Sequence, residues 1–257
     1  MNALILLTIG LAAPPTDGPK GTLVAVGGGT MPEALTKQVL QLAGGPEAPI
    51  LVIPQASELA DTGQRSADMW RKAGAKVVSE LQINDRALLA IHEARLIWMP
   101  GGDQSRLMKA LPAETIEAIR VRYRVGAVVG GTSAGAAVLS SVMLTGEGDK
   151  DVIRAGSTKT IAGMNLWPNV IVDQHFIARQ RFNRLFSAVL DRPELLGVGV
   201  DESTAAILRG NTVEVAGDRQ VMIIDARTAE KSPANAPRSA RDVKIHLLTA
   251  GMKFELK

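Results

Sequence analysis

From residue 22 onward, short apolar runs alternate with longer segments in which apolar positions recur every three or four residues. "TLVAVG" (22–27), "PILVIP" (49–54), "RLIWMP" (95–100) and "GAVVGG" (126–131) carry almost no polar residue, and "KVVSEL" (76–81) is a weaker run of the same kind. Runs of that length without a polar face predict strands buried on both sides, as in a parallel sheet. The segments between them predict helices: 32–45, opened by Pro32 and closed by a glycine pair, then 58–73, 84–93, stretches following Asp103 and Ala113, and a run from Ala134 to Val142. The alternation predicts an α/β fold with a mostly parallel central sheet flanked by helices. Beyond residue 195 the texture changes, and "LGVGVD", "AAILRG", "NTVEVAG", "QVMIIDA" and "VKIHLLT" read as strands joined by short turns. They predict an antiparallel β extension near the C-terminus, with 230–242 as a surface loop. No linker composition and no fixed repeat divides the chain, so 21–257 reads as a single domain.

The N-terminal "MNALILLTIGLAAPPTDGPKG" has a different pattern: an apolar run from Ala3 to Ala13, then prolines. The run is shorter than the roughly 20 residues that span a bilayer. It resembles the apolar region of a secretory signal, with Gly10 and Ala12 as small residues near a cleavage point, although no Lys or Arg precedes Lys20. Residues 1–20 are therefore expected to be a signal peptide and short linker, and the product to be exported to the periplasm or the medium. The alternative is a disordered or mis-started terminus on a cytoplasmic protein.

Composition narrows the function classes. Of 257 residues 46% are apolar and 21% charged, enough for a sizeable core and against general disorder. Aromatics at 3% argue against a stacking surface for single strands, and a net charge of +3, concentrated only near 179–184, argues against a duplex-binding face. The chain has no cysteine, which removes a thiolate nucleophile, a disulfide framework and a cysteine-ligated metal together.

In open α/β sheets, sites form outside the carboxyl ends of the strands. Those ends carry Gly27 to Gly29, Gln55, Gly101 to Gln104, Ser133, "VDQH" (172–175) and the acidic pair at 201–202. Gly131-Thr132-Ser133-Ala134-Gly135 has the G-x-S-x-G spacing of a strand–turn–helix nucleophile elbow. Ser133 would then sit at a helix N-terminus, where free N–H groups favour a developing negative charge, and the Ala134 N–H becomes one oxyanion donor. The alternative is a serine that merely caps the helix. Of three histidines, His92 falls in a helical segment and His246 in a late strand, whereas His175 ends an apolar run and is placed to act as the base. The acid that would orient it is Glu202, with Asp201, Glu147 and Asp149 as competitors. Gly102 offers a second oxyanion donor, unless the glycine pair is only a turn with Asp103 as a helix cap. "VGGGT" (26–30) lacks dinucleotide spacing and reads as a turn.

Four blocks in this order, "PGGDQSRL", "GGTSAGA", "VDQHFIARQRFNRL" and "GVGVDESTAAIL", together resemble the cyanophycinase branch of the peptidase E-like serine peptidases, from about Gly21 to the C-terminus. The resemblance implies a fold related to the class I glutamine amidotransferases, with serine replacing their cysteine. It implies Ser133 as nucleophile, His175 as general base and, by the match at "VDES", Glu202 as third member, in a homodimer that needs no metal and no cofactor. Cyanophycinases cleave a polyaspartate whose β-carboxyls carry arginine, releasing β-aspartyl-arginine dipeptides. In that family the "DQ" before the histidine and the arginines after it line the substrate pocket, which here implies Asp173, Gln174, Arg181 and Arg184, with Gln104 near the elbow. Arginine suits a substrate carboxylate because it can grip it bidentately, and Arg181 and Arg184, three apart, share a helix face. Asp173 could pair with the substrate guanidinium. Three other readings compete: an aspartyl dipeptidase of the peptidase E type, disfavoured by the arginine-bearing segment; a catalytically inactive binding protein, disfavoured by Ser133 and His175; and a glutaminase, disfavoured by the missing cysteine.

Overall fold

The structure is a computed structural model and describes residues 18–146, 148–232 and 237–256. The apolar run expected to be a secretory signal lies outside the described residues, as does Glu147. No helix among the described residues is long and apolar enough to cross a membrane.

The chain runs β1 (Thr22–Val26), α1 (Glu33–Leu42), β2 (Ile50–Val52), α2 (Thr62–Lys72), β3 (Val78–Glu80), α3 (Ala87–Glu93), β4 (Leu96–Met99), α4 (Gln104–Ala110), α5 (Ala113–Arg124), β5 (Val128–Thr132) and α6 (Ala134–Ala137). It continues with β6 (Val142–Thr145), β7 (Lys159–Ala162), β8 (Val170–Gln174), α7 (Phe182–Asp191), β9 (Leu196–Val200), β10 (Thr204–Arg209), β11 (Thr212–Gly217) and β12 (Val221–Asp225). The last strands are β13 (Glu230–Lys231), β14 (Ala240–Arg241), β15 (Lys244–Leu248) and β16 (Lys253–Glu255).

The central sheet has the order β16-β11-β10-β1-β5-β4-β2-β3. From β1 to β3 the pairs are parallel, and β10, β11 and β16 extend the sheet in antiparallel register. Strand β1 shows why the apolar runs lack alternation. Its Leu23 and Ala25 join the core on one face with Ile97, Met99, Val129 and Val198, while Val24 and Val26 join the other with Val39, Leu40 and Trp70. Both faces are covered, so both sets of alternate side chains must be apolar.

The antiparallel extension expected near the C-terminus is present as β10, β11 and β16. The C-terminal strands do not all extend one sheet: β8, β9, β12 and β15 form a second, four-stranded sheet, in which β8 and β9 are parallel. The chain crosses between the sheets at 201–203, where Ser203 has φ +56° and turns β9 into β10. Short strand signals do not say which neighbour each strand will choose. The helix expected to run to Val142 stops at Ala137, because Ser140 Oγ donates to Ala137 O and Leu139 O takes the N–H groups of Leu166 and Trp167. Tertiary partners replace the next helical hydrogen bonds. Within 230–242, β13 and β14 form a two-residue ladder, and 233–236 lie outside the described residues.

Candidate active site

The end of β1 is the frame of the site. Three successive carbonyls there accept N–H groups from three separate segments: Val26 O from Ser133 at 3.0 Å, Gly27 O from His175 at 2.6 Å and Gly28 O from Ser203 at 2.8 Å. The run read from sequence only as a turn thus fixes the backbone of the serine, the histidine and the residue after Glu202. Gly28 is also a wall: at φ +106°, a Cβ on it would stand 2.2 Å from Cε1 of His175. A glycine run at a strand end without phosphate-binding spacing was the available signal, since it marks a place where another element comes close.

Ser133 stands between β5 and α6 with φ 54° and ψ −114°, a conformation L-residues rarely adopt. Such strain costs about 1–3 kcal/mol and persists only where the surroundings over-determine it. The Val26 carbonyl does so on one side. On the other, the chain folds so tightly that a Cβ on Gly135 would lie 1.9 Å from Met99 O. Ser133 Oγ makes no capping hydrogen bond to α6, so the helix-cap alternative fails. Instead Oγ lies 2.9 Å from Nε2 of His175, whose Nδ1 lies 2.6 Å from Oε1 of Glu202. With Nδ1 donating to the carboxylate, Nε2 is left to accept the serine hydroxyl. Serine, imidazole and carboxylate form one hydrogen-bonded line.

His175 is 7% exposed. Burial pushes its pKa below the ordinary 6.5, the charges of Arg179 and Arg181 act in the same direction, and the Glu202 hydrogen bond opposes them. The ring is therefore neutral near pH 7 and can take a proton. Arg179, an exposed cation in the turn after His175, was missed in the sequence, where Arg181 and Arg184 drew attention as a helical pair.

The loop Gly101–Gly102 runs beside the serine: a Cβ on Gly101 would lie 3.4 Å from Ser133 Cβ. Among the described residues, no hydrogen bond engages the N–H of Gly102 or of Ala134. Asp103 caps α4 by accepting from Arg106 N at 2.7 Å, so the glycine pair is a turn before a capped helix as well as a neighbour of Ser133. With only four residues, α6 adds little dipole, and any oxyanion stabilisation must come from individual N–H groups.

The other acids have different partners. Asp201 accepts from Ile177 N and Ala178 N, and Asp149 accepts from Asp151 N and Val152 N and pairs with Arg154. Glu202 alone among the described competitors meets the histidine. His92 is on the exposed side of α3, and His246 in β15 packs on Phe254 at 4.8 Å.

The residues expected to contact the substrate have partners within the protein. Arg184 is 3% exposed and spans Asp173 with two hydrogen bonds, Nε to Oδ2 at 3.0 Å and Nη2 to Oδ1, while its Nη1 donates to Gly146 O. Arg181 Nη1 donates to Gln174 O and Oε1 at 2.9 and 2.7 Å. Asp173 and Gln174 are buried with them, and Gln104 Nε2 donates to Leu144 O at 2.7 Å. Arg184 and Asp173 satisfy each other, because a charge this buried needs a partner in the same low-dielectric space. Among the described residues, no group of three His, Asp or Glu side chains could hold a metal ion.

Residues 23–216 match the peptidase family S51. The chain is 37% identical over 262 residues to a cyanophycinase of Synechococcus elongatus, covering 94% of this chain and 81% of that one. It is 35% identical over 255 residues to a cyanophycinase of Geminocystis herdmanii, covering 91% and 93%. Its fold is similar to that of a solved peptidase from an acI-B1 actinobacterium, with a TM-score of 0.66 at 23% identity over 93% of this chain and 99% of that chain. It is also similar to a putative peptidase E from Listeria monocytogenes, with a TM-score of 0.56 at 15% identity over 77% and 98%.

Proposed function

The chain belongs to peptidase family S51 and is a serine-type hydrolase; we propose that it cleaves β-aspartyl isopeptide substrates, with cyanophycin as the polymer and β-aspartyl-arginine as the product. The observation that carries the reading is the hydrogen-bonded line from Glu202 through His175 to a Ser133 held at positive φ. The cyanophycinases at 35–37% identity support the choice of polymer.

In the first half-reaction Ser133 Oγ attacks the scissile carbonyl carbon while His175 Nε2 takes the hydroxyl proton, and Glu202 stabilises the imidazolium. The N–H groups of Gly102 and Ala134 receive the oxyanion, at about 2.7–4 kcal/mol of barrier for a donor of this kind. His175 then passes its proton to the leaving amine. Water, deprotonated by the same nitrogen, releases the acyl group and restores the serine. Arg179, exposed beside His175, is the cation available to a substrate carboxylate; Arg181, Arg184, Asp173 and Gln174 shape the wall from within. The same reading takes the protein as a homodimer and, with residues 1–12 as a secretory signal, as an exported enzyme.

Wild type and Ser133→Ala are incubated with cyanophycin and the products followed by mass spectrometry. The reading expects β-aspartyl-arginine from wild type alone. Release of amino acids from short aspartyl peptides but not from the polymer would move the enzyme to a dipeptidase. No hydrolysis and no labelling of Ser133 by a fluorophosphonate would end the hydrolase assignment of this site.

A further inference from the structure

Two acids stand side by side after β9 and take different partners: Glu202 goes to the His175 ring, and Asp201 goes to the backbone that follows His175. Asp201 is 2% exposed. Its Oδ1 accepts the N–H groups of Ile177 and Ala178 at 3.2 and 3.0 Å, and its Oδ2 faces Arg219 Nη1 at 3.3 Å. Those two N–H groups open the turn 176–180, which is otherwise closed by bonds from Arg179 N to His175 O at 2.9 Å, from Gln180 N to Ile177 O at 3.0 Å and from Arg181 N to Phe176 O at 2.9 Å. At the head of the turn His175 itself has φ +49°. A histidine in the left-handed region holds only while its neighbours fix it. Here they are Gly27 O on its own N–H, Val200 O on the N–H of Phe176, and the Asp201 carboxylate on the next two.

We infer that Asp201 is a positioning residue for the hydrolysis: by anchoring the turn after His175 it keeps the imidazole aimed at Ser133 and Arg179 at the mouth of the site. The inference rests on the reading of Ser133, His175 and Glu202 given above. The charge and hydrogen-bonding groups that face the imidazole are Ser133, Glu202, Arg179 and Arg181, and the turn carries Arg179 and leads directly into Arg181. Releasing the turn moves Arg179 away and wets the ring, and both changes favour the protonated imidazole.

The test compares wild type, Asp201→Ala, Asp201→Ser and Asp201→Asn by kcat, KM and the pH profile of kcat/KM on cyanophycin. Asparagine keeps an Oδ1 that can accept both N–H groups; alanine has none, and serine is too short to span both. Asp201→Ala and Asp201→Ser should lower kcat at least about tenfold, with KM within about threefold and the acid limb moved to higher pH, as displacement of a reacting group requires. Asp201→Asn should restore kcat to within about threefold of wild type and return the acid limb. Wild-type kcat and acid limb in the truncated variants would overturn the inference. So would Asp201→Asn failing as deeply as Asp201→Ser, since the charge rather than the acceptor would then matter. A wild type that neither hydrolyses nor labels would overturn the functional reading instead, which keeps the two failures apart.

Discussion

Replacing Gly28 with alanine separates the strain of a left-handed backbone from the displacement of a reacting group. The new Cβ would lie 2.2 Å from Cε1 of His175, where carbon atoms rest at about 3.5–4.0 Å, so the ring must retreat by more than about 1 Å. That retreat breaks the 2.9 Å contact between Nε2 and Ser133 Oγ. A misplacement of 1 Å costs on the order of 10²-fold in rate. Gly74 supplies the control, because its φ of +109° nearly equals the +106° of Gly28 while a Cβ there would meet nothing within 4 Å. Both alanine variants carry a left-handed penalty of roughly 1–2 kcal/mol, read as a lower urea midpoint at unchanged slope. Only Gly28→Ala should lose kcat by about 10²-fold or more in the cyanophycin assay, with Gly74→Ala within about twofold of wild type. Equal kcat in the two variants would refute the idea that Gly28 is the wall against which the imidazole is set.

Glu202→Gln should lower kcat by about 10²–10⁴-fold with KM nearly unchanged, because the amide no longer holds the proton on Nδ1; a KM effect alone would count against its place beside the histidine. The acid limb of kcat/KM should fall below 6.5, since burial depresses the His175 pKa and activity is lost only as pH falls through that lowered value. The same depression makes the unfolded chain take up the proton first, so stability should decline as pH drops below about 6.5 and the decline should end below the folded-state pKa; proton titration of His175 in Ser133→Ala by NMR checks the sign. Arg184→Met should destabilise by about 3–5 kcal/mol in urea melts, because it leaves Asp173 charged and uncompensated in the interior, and adding Asp173→Leu should recover much of the loss. No recovery in the double variant would mean that packing, not charge, holds the pair.

Local backbone chemistry was legible in the chain. Apolar runs such as 22–27 and 95–100 located strands, because a strand covered on both faces has no room for a polar side chain. Gly131 and Gly135 around Ser133 located the elbow, because a turn that tight needs glycine on both sides, and His175 stood out as the one histidine at a strand end. What is encoded over a few consecutive residues could be read without the fold. Choice of partner could not. Asp201 and Glu202 are neighbours of similar chemistry, and only the crossing from one sheet to the other sends one carboxylate to the imidazole and the other to the turn beyond it. Nothing in the chain pairs Arg184 with Asp173, yet burial made each the group able to neutralise the other. The glycines at 27–29 looked like a plain turn until strands β1, β5, β8 and β9 brought their ends together there. Sequence determined which residues could turn, pack or carry a proton; tertiary structure decided which of them meet, because hydrogen bonds and ion pairs form between groups brought close by burial of the sheets, whatever their separation along the chain.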